Sequence, residues 1–481
     1  RESLAPDAVA ARTAPLQDSL VLDMGAVASV SYVRDLAGAS PRVLRGAIAI
    51  GLAPQESAPM PERGVVANVR LGDFDVDLWQ SLLTGTPTQG TAAPVSSALP
   101  DYLPTVLAAR ARALTVQGRT LHDVLVGGSR DGLLWRANLD AQELNGYVEF
   151  RQPSGPEAAA GRLYARLARL TVPQSAATQV EALLDAQPGS LPSLDIAVDD
   201  FELRGRKLGR LEIEAQNRVL DGSQREWRLG KFNLLTPEAV FTANGNWAAL
   251  QATAAAPPEA QRRTVLNFRL DIQDSGTLLG RFGMADVVRR GKGRMEGQVA
   301  WRGAPINPDY ASMTGQINLN IEAGQFLKAD PGLAKLLGVL SLQSLPRRLT
   351  LDFRDVFSEG FAFDFVRGDL RIEQGVATTN NLQMKGVNAA VLMEGRADIA
   401  RETQELHVVV VPEINAMTAS LVATAINPVI GLGSFLAQVF LRGPLIEAAT
   451  QEFRVDGTWA DPQVTRIPRR SRAATVAPAA A

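Results

Sequence analysis

The stretch from Leu266 to Ile272 reads Leu-Asn-Phe-Arg-Leu-Asp-Ile and alternates strictly between apolar and polar side chains. Successive side chains of a β-strand point to opposite faces, so this pattern predicts a strand with one apolar and one polar face. The runs Ile317–Ile321, Leu349–Phe353 and Phe361–Phe365 alternate in the same way. The side chains predicted to line one continuous apolar face are Leu266, Phe268, Leu270, Ile317, Leu319, Ile321, Leu349, Leu351, Phe353, Phe361, Phe363 and Phe365.

Glycine-containing pairs separate many of the alternating runs. Asp221-Gly222, Asn244-Gly245 and Asp456-Gly457 are typical of tight turns between antiparallel strands. The sequence therefore predicts an all-β dominated fold with many antiparallel strands.

Helix signals are few and lie mostly near the C-terminus. Asp330 and Pro331 form an N-cap and first-turn pair, and the leucines that follow share one helical face, which predicts a helix near 331–345. A second, short helix is predicted over Gln174–Ala186.

A weak internal repeat accompanies the strands. Val116–Leu121 resembles Leu203–Leu208, and a Trp-Arg pair follows each, at Trp135 and at Trp227. Repetition of a meander module predicts an elongated fold whose length grows with the number of modules.

Composition excludes several function classes. Lys and Arg number 49 against 51 Asp and Glu, giving a net charge of −2, which does not favour nucleic acid as a partner. The chain has no cysteine and only two histidines, His122 and His407, each predicted in a strand. We therefore predict no metal site, no cofactor and no catalytic residues. The basic run Arg289–Arg294 is predicted to be a hairpin loop exposed to solvent.

Five stretches resemble one known family. They are residues 191–211, 281–288, 324–357, 427–433 and 457–462, and they resemble the C-terminal region of the YhdP group of AsmA-like proteins. The resemblance is specific from about Leu191 to Ile467 and looser before that.

The resemblance implies a long, twisted β-sheet groove that crosses the periplasm and carries phospholipid between the inner and outer membranes, without catalysis, in support of outer-membrane lipid homeostasis. Its partners would be phospholipid acyl chains, the inner leaflet of the outer membrane at the C-terminal end, and the inner membrane through an N-terminal helix that this chain lacks. Residues 1–190 would be groove modules that continue from a missing N-terminal part. Residues 191–466 would be the C-terminal groove region, and residues 467–481 a disordered tail.

Elementary physics leaves two interpretations of the apolar face open. A sheet with one apolar face must be covered by another layer, closed on itself or filled by a ligand, and this chain has few helices with which to cover it. A sandwich and a groove that holds acyl chains both remain. An alternative function is an envelope assembly or tethering protein that binds client proteins at exposed sheet edges.

The segment Ile414–Leu441 contains 28 residues without a charge and is interrupted by Pro428, Gly431 and Gly433. It predicts two short apolar helices, which could span a membrane, plug the end of the groove, or enter the inner leaflet of the outer membrane. The predicted membrane-contact residues are Leu421, Val422, Ile426, Val429, Ile430, Leu432, Phe435, Leu436, Val439 and Phe440.

Overall fold

The fold is almost entirely β. The structure, a computed structural model, describes residues 16–78 except 39, 54, 55 and 57, 99–154 except 117, 160–173, 191–219, 225–249, 262–327 except 306 and 307, 361–412 except 387 and 388, and 450–468. These residues form 22 strands, with two short helices and one 3-10 turn described over their whole length. The all-β prediction with few helices is confirmed.

The chain divides into two compact units, residues 1–218 and residues 219–481. The predicted boundary near residue 190 falls within 174–190, outside the described residues, and stays a prediction.

The N-terminal unit is a sheet in which each strand pairs with the next strand along the chain. Its strands are β1 (Gln17–Asp23), β2 (Ala28–Asp35), β3 (Arg42–Ile50), β4 (Gly64–Asp75), β5 (Val106–Val116), β6 (Arg119–Asp131), β7 (Leu134–Asp140), β8 (Leu144–Arg151), β9 (Arg162–Val172), β10 (Ser193–Leu203) and β11 (Arg206–Val219). Helix α1 (Leu99–Tyr102) lies in the connection between β4 and β5.

Three pairs of this unit are parallel, which departs from the antiparallel pairing that the sequence predicts for most strands. Strand β3 pairs parallel with β4, β4 parallel with β5, and β9 parallel with β10. The connections before β4, β5 and β10 are residues 51–63, 76–105 and 173–192. Each has the dozen or more residues that a parallel crossover needs, whereas a tight turn forces antiparallel pairing.

The C-terminal unit is an antiparallel meander. Its strands are β12 (Arg225–Thr236), β13 (Ala239–Ala249), β14 (Arg262–Ile272), β15 (Val288–Arg302), β16 (Thr314–Phe326), β17 (Phe361–Glu373), β18 (Val376–Gly386), β19 (Ala389–Asp398), β20 (Thr403–Pro412), β21 (Gln451–Thr458) and β22 (Pro462–Arg466). Each pairs antiparallel with its neighbours in sequence. The connections that follow β14, β16 and β20 therefore leave the sheet at the same ends of the strands.

Helix α2 (Ser275–Arg281) joins β14 to β15 and is not among the helices predicted from the sequence. Asp274 is its N-cap and accepts a hydrogen bond from the Thr277 backbone N–H at 2.9 Å. Leu278 on its buried side packs into the apolar cluster of the unit, and Arg281 at its last turn pairs with buried Glu238. The helix thus covers one end of the β14–β15 pair.

Two sequence-based predictions of turns are wrong. Asn244-Gly245 lies inside β13, where a Cβ on Gly245 would meet the Val265 carbonyl oxygen at 2.1 Å, so this glycine allows close approach of strands. Arg289–Arg294 lies in β15 and pairs with β16. A β-strand accommodates these charges because they lie at its exposed end.

Several predicted elements lie outside the described residues. They are the turn at Asp221-Gly222, the helices over 174–186, near 331–345 and within 414–441, and the tail after residue 468.

Candidate functional site

The apolar face of the C-terminal unit is the side of the sheet that carries Leu266, Phe268 and Leu270. Cross-strand register extends this face over neighbouring strands. Phe268 stands opposite Ala243 on one side and Gly297 on the other. The residues that continue the face from β15 to β17 are Met295 and Val299, then Ile317, Leu319 and Ile321, then Val366 and Leu370. Five sequence-predicted residues beside Phe268, namely Leu266, Leu270, Ile317, Leu319 and Ile321, are therefore brought onto one surface with it.

Aromatic side chains form a row along this face. The ring centroids of Phe232 and Phe241 are 5.9 Å apart, and those of Phe241 and Phe268 are 6.2 Å apart. Gly297 faces Phe268 and has no room for a Cβ, which would lie 2.2 Å from the Gln316 carbonyl oxygen. Sequence reasoning missed Phe232 and Phe241, although Phe241, Ala243 and Gly245 alternate with polar residues as Leu266–Ile272 does.

The exposure of the apolar face changes along the sheet. Leu266, Phe268, Leu270, Ile317 and Leu319 are only partly buried. The buried core begins on these same strands, at Ile272 and Ile321, and Leu270 and Leu319 pack against it. Its members on β17 to β21 are Phe363, Met384, Val391, Met393, Val408, Val410, Phe453 and Val455. A closed sandwich would bury the first group as completely as the second. Over β14 to β16 the face is therefore partly accessible around Leu266, Phe268 and Ile317, and it is closed at Ile272 and Ile321 and over β19 to β21.

The opposite face over the same strands is polar and internally hydrogen-bonded. Asn267 donates to the Asn244 side-chain oxygen at 3.0 Å and accepts from Gln298 at 2.6 Å. The Arg269 Nε donates to Asp271 at 2.8 Å, and this hydrogen bond lowers the pKa of the Asp271 carboxyl. These hydrogen bonds between polar side chains make this face suited to contact with water. Only the other face of the sheet is therefore available to an apolar ligand.

The prediction that Phe363 and Phe365 share a face is wrong. The register with β18 shifts between them. Phe363 packs on Phe326 at 5.0 Å, whereas Phe365 is paired with Glu322 and Lys385. A β-bulge adds a residue to one strand and reverses the alternation that follows it, so Phe365 lies on the polar face.

Arg367 supports this placement, because its guanidinium carbon lies 4.2 Å from the centroid of the Phe365 ring. The remaining predicted residues cannot be compared with the structure. Leu349, Leu351 and Phe353, and the ten membrane-contact residues within 414–441, lie outside the described residues, as does the side chain of Phe361.

The N-terminal unit carries an apolar face of its own, of which the sequence analysis named no residue. The residues that stand opposite one another across β8 to β11 are Gly146, Val148 and Phe150, then Leu163, Ala165 and Leu167, then Leu194, Ile196 and Val198, then Leu211, Ile213 and Ala215. Phe150, Leu163 and Ile196 are partly exposed, whereas Val198 is buried. On the other side Arg166 pairs with Asp195 at 2.7 Å.

The histidines lie in strands, as predicted, and each has carboxylate partners. His122 on β6 is 2.5 Å from Glu143, and this hydrogen bond raises the pKa of the imidazole. His407 on β20 lies 3.0 Å from Glu452 and 3.6 Å from Glu394. In the described ranges, no three His, Asp or Glu side chains are placed to hold a metal ion. These acids pair with the histidines, and in the part of the chain that the structure describes no serine hydroxyl is hydrogen-bonded to either histidine.

Among the residues that the structure describes, no helix combines the length and the apolar composition needed to cross a membrane.

The family model described as YhdP protein matches residues 6–464. This chain belongs to the YhdP family. The resemblance predicted from five short stretches is thereby confirmed and extends over almost the whole chain.

A curated member of the family, from Escherichia coli (strain K12), is named intermembrane phospholipid transporter YhdP. It is 29% identical to this chain over 283 residues, which are 58% of this chain and 21% of the relative. The match thus spans about a fifth of the relative's length. No solved structure matches this chain significantly.

Proposed function

We propose that this chain is part of a non-enzymatic protein that conducts phospholipid between the inner and outer membranes of a bacterial envelope and so supports lipid homeostasis of the outer membrane. The observation that carries the proposal is the partly accessible apolar face over β14 to β16, backed by a polar, hydrogen-bonded face. The name of the Escherichia coli relative supports phospholipid as the ligand.

The physics of such a groove is binding without chemistry. Each methylene that leaves water for the apolar face gains about 0.8 kcal/mol, so two acyl chains are held firmly. Because leucine, isoleucine and phenylalanine side chains repeat from strand to strand, successive positions along the face bind a chain about equally. A lipid could therefore slide from one strand to the next without crossing a large barrier.

Contacts with the two membranes are part of the same proposal. The apolar segment 414–441 joins β20 to β21, at the same ends of the strands as helix α2. We propose that its apolar residues contact the inner leaflet of the outer membrane, and that an N-terminal part contributes the inner-membrane anchor. Location in the periplasm follows from this arrangement.

Extraction of lipid from the purified chain tests the proposal. Mass spectrometry of the organic extract should show phospholipid in a fixed molar ratio to protein, and washing in high salt should not remove it, because the contact is apolar. A protein that folds and carries no phospholipid would count against conduction along this face.

One observation favours a second candidate, a tether that binds client proteins. Strand β1 pairs with β2 alone among the described strands, and Leu20, Val21 and Leu22 on it are exposed. An unpaired edge with exposed apolar side chains can accept another strand. A protein partner that copurifies in fixed ratio, and is lost when Val21 is replaced by Pro, would favour this candidate over lipid conduction.

A further inference from the structure

The connection from helix α2 to β15 ends in a protruding loop of the C-terminal unit, residues 282–286, which we call the tip. All five of its residues are exposed. Two of them are large and apolar, Phe282 with 45% of its surface exposed and Met284 with 49%. Because the fold leaves both side chains uncovered on one projecting loop, the tip is suited to contact with another surface.

The backbone of the tip is held in place from both sides. The Met284 N–H donates to the Leu279 carbonyl oxygen of α2 at 2.9 Å, and the Val287 carbonyl oxygen accepts from the Leu327 N–H at 2.9 Å. Asp286 adopts the left-handed conformation, with φ of 60°, which aspartate tolerates in turns. Since this backbone is already ordered, little conformational entropy is lost when the tip binds a surface.

Uncompensated positive charge follows the tip directly. Arg289 and Arg290 near the start of β15 are exposed and stand opposite Gln325 and Gly324. In the described part of the chain neither arginine makes an ion pair. Asp286 is the one acid of the tip, so two arginines against one aspartate give a net charge of +1.

A bilayer with anionic headgroups is complementary to this combination. Apolar side chains enter the boundary between headgroups and acyl chains, and cations beside them attract the headgroup phosphates. Other charges close to the tip compensate one another, since Glu238 pairs with Arg281 and Lys292 stands opposite Glu322. A protruding tip offers neither the groove nor the sheet edge by which peptides are commonly bound.

The topology gives a second reason to favour a membrane. In the antiparallel meander, the connections after β14 and β20 leave the sheet at the same ends of the strands, and the uncharged segment 414–441 begins two residues after Pro412 ends β20. Tyr310 and Trp459 are also exposed, but they follow β15 and β21 and so lie at the opposite ends.

We propose that the tip docks the C-terminal unit on an anionic lipid surface. Phe282 and Met284 insert into the boundary between headgroups and acyl chains, and Arg289 and Arg290 contact headgroup phosphates. This contact is separate from the one proposed for segment 414–441. The assignment of this surface to the outer membrane rests on the proposed function, whereas the docking itself rests on the exposed side chains and the arginines.

Sedimentation of the full chain with vesicles tests the docking. One set of vesicles contains phosphatidylethanolamine with anionic phosphatidylglycerol, and the other contains phosphatidylcholine alone, which has no net charge. The tip variant carries Phe282→Ser and Met284→Ser. The matched control carries Tyr310→Ser and Trp459→Ser, which remove equally exposed side chains, at 50% and 45%, from the opposite ends of the strands.

The tip variant should bind the phosphatidylglycerol vesicles at least about tenfold more weakly than wild type, because two inserted apolar side chains are lost. The control should stay within about twofold of wild type, since exposed positions away from the tip make no contact with lipid. Equal vesicle affinity in wild type and tip variant would overturn the proposal.

Charge variants test the contact with headgroups. Arg289→Gln with Arg290→Gln should weaken binding to phosphatidylglycerol vesicles about tenfold and leave binding to phosphatidylcholine unchanged. Asp286→Asn should strengthen binding to the anionic vesicles, because it removes a repelling charge. A loss of equal size on both kinds of vesicle would contradict contact between the arginines and anionic headgroups.

A fluorescent label reports insertion at a single position. Because the chain has no cysteine, Met284→Cys can be labelled there alone with a nitrobenzoxadiazole dye. Phosphatidylglycerol vesicles should brighten its emission and shift it to shorter wavelength, and nitroxides on the acyl chains should quench it. The same label at Tyr310→Cys should show neither change. An unchanged signal at position 284 on vesicle-bound protein would overturn insertion of the tip.

Lipid analysis separates the docking from the proposed function. The tip variant should keep phospholipid in the wild-type ratio, because the tip lies outside the accessible apolar face. A chain without phospholipid that binds vesicles through the tip would refute conduction and support the docking. A copurifying protein that the tip variant loses, with vesicle binding unchanged, would identify a protein partner and overturn the docking.

Discussion

Phe268 and Phe363 belong to the same apolar face and have different surroundings. Phe268 is partly exposed between Ala243 and Gly297, whereas Phe363 is 4% exposed and its ring lies over Gly324, where a Cβ would be 2.2 Å away. A ligand can therefore reach the Phe268 side chain, whereas the Phe363 side chain contacts protein.

An aspartate at each position should have different consequences. Phe363→Asp buries an unpaired charge and should lower the free energy of unfolding by at least about 3 kcal/mol. Phe268→Asp can be hydrated in part and should cost about 1 kcal/mol while removing bound lipid. Urea unfolding followed by circular dichroism, beside lipid analysis, measures both effects. Asn267→Asp on the polar face is the control and should keep its lipid. Equal destabilisation by the two phenylalanine substitutions would contradict an open face at Phe268.

His122 gives a prediction about pH. The hydrogen bond with Glu143 raises the pKa of His122 above its ordinary value of about 6.5. A raised pKa in the folded state means that the pair stabilises the fold fully below about pH 6.5 and loses this contribution as the pH rises through the folded-state pKa. NMR titration should place the pKa above that of a free histidine, and Glu143→Gln should lower it. An unchanged midpoint in that variant would show that the pair does not form.

The face on which a side chain lies was predicted correctly where apolar and polar residues alternate without interruption. The apolar side chains within Leu266–Ile272 and Ile317–Ile321 lie on one face, because β14, β15 and β16 pair without a register shift. Phe365 was misplaced because a bulge depends on the partner strand, which local sequence does not reveal. Asn244-Gly245 was misread as a turn because glycine serves turns and close strand packing alike.

Helix α2 matters at the scale of elements, because it closes one end of the β14–β15 pair. Glu238 is buried in the turn between β12 and β13 and pairs with Arg281, whose second terminal nitrogen donates at 2.9 Å. This pair lowers the pKa of Glu238, so its contribution is present above the ordinary carboxyl pKa and is lost as the pH falls through the folded-state value.

Breaking the pair should destabilise the C-terminal unit. Arg281→Ala leaves a buried carboxylate and should cost about 2 kcal/mol at neutral pH, with a smaller loss near pH 3. Arg289→Ala, an exposed position of β15, should change the free energy of unfolding by less than about 0.5 kcal/mol. Chemical denaturation at the two pH values provides the measurement. A loss in Arg281→Ala that does not depend on pH would exclude the pair as its cause.

The parallel pairs of the N-terminal unit show why elements are easier to predict than their pairing. Strands β3, β4 and β5 are visible as apolar runs, but their direction relative to one another depends on connections of irregular sequence. Helix α2 was missed because it is only seven residues long, with Asp274 as its main signal. Short helices obtain most of their stability from packing, which sequence periodicity cannot show.

At the scale of the whole molecule, the all-β class and the family were both predictable. The alternation recurs along the chain, and the motif-bearing stretches are specific enough for the YhdP family, whose model matches residues 6–464. The accessibility of the apolar face was not predictable, because it depends on which layers cover each strand.

The central claim is that phospholipid lies against the apolar face and not against the polar one. Site-specific photo-crosslinking tests it most directly, with a benzoylphenylalanine at Phe268 or Leu319 and, as matched controls, at Asn267 or Asn318 on the same strands. After irradiation of the protein in its native membranes, intact-mass spectrometry should show phospholipid adducts at Phe268 and Leu319 and none at the two asparagines. Adducts at all four positions, or at none of them in a folded protein, would contradict the account.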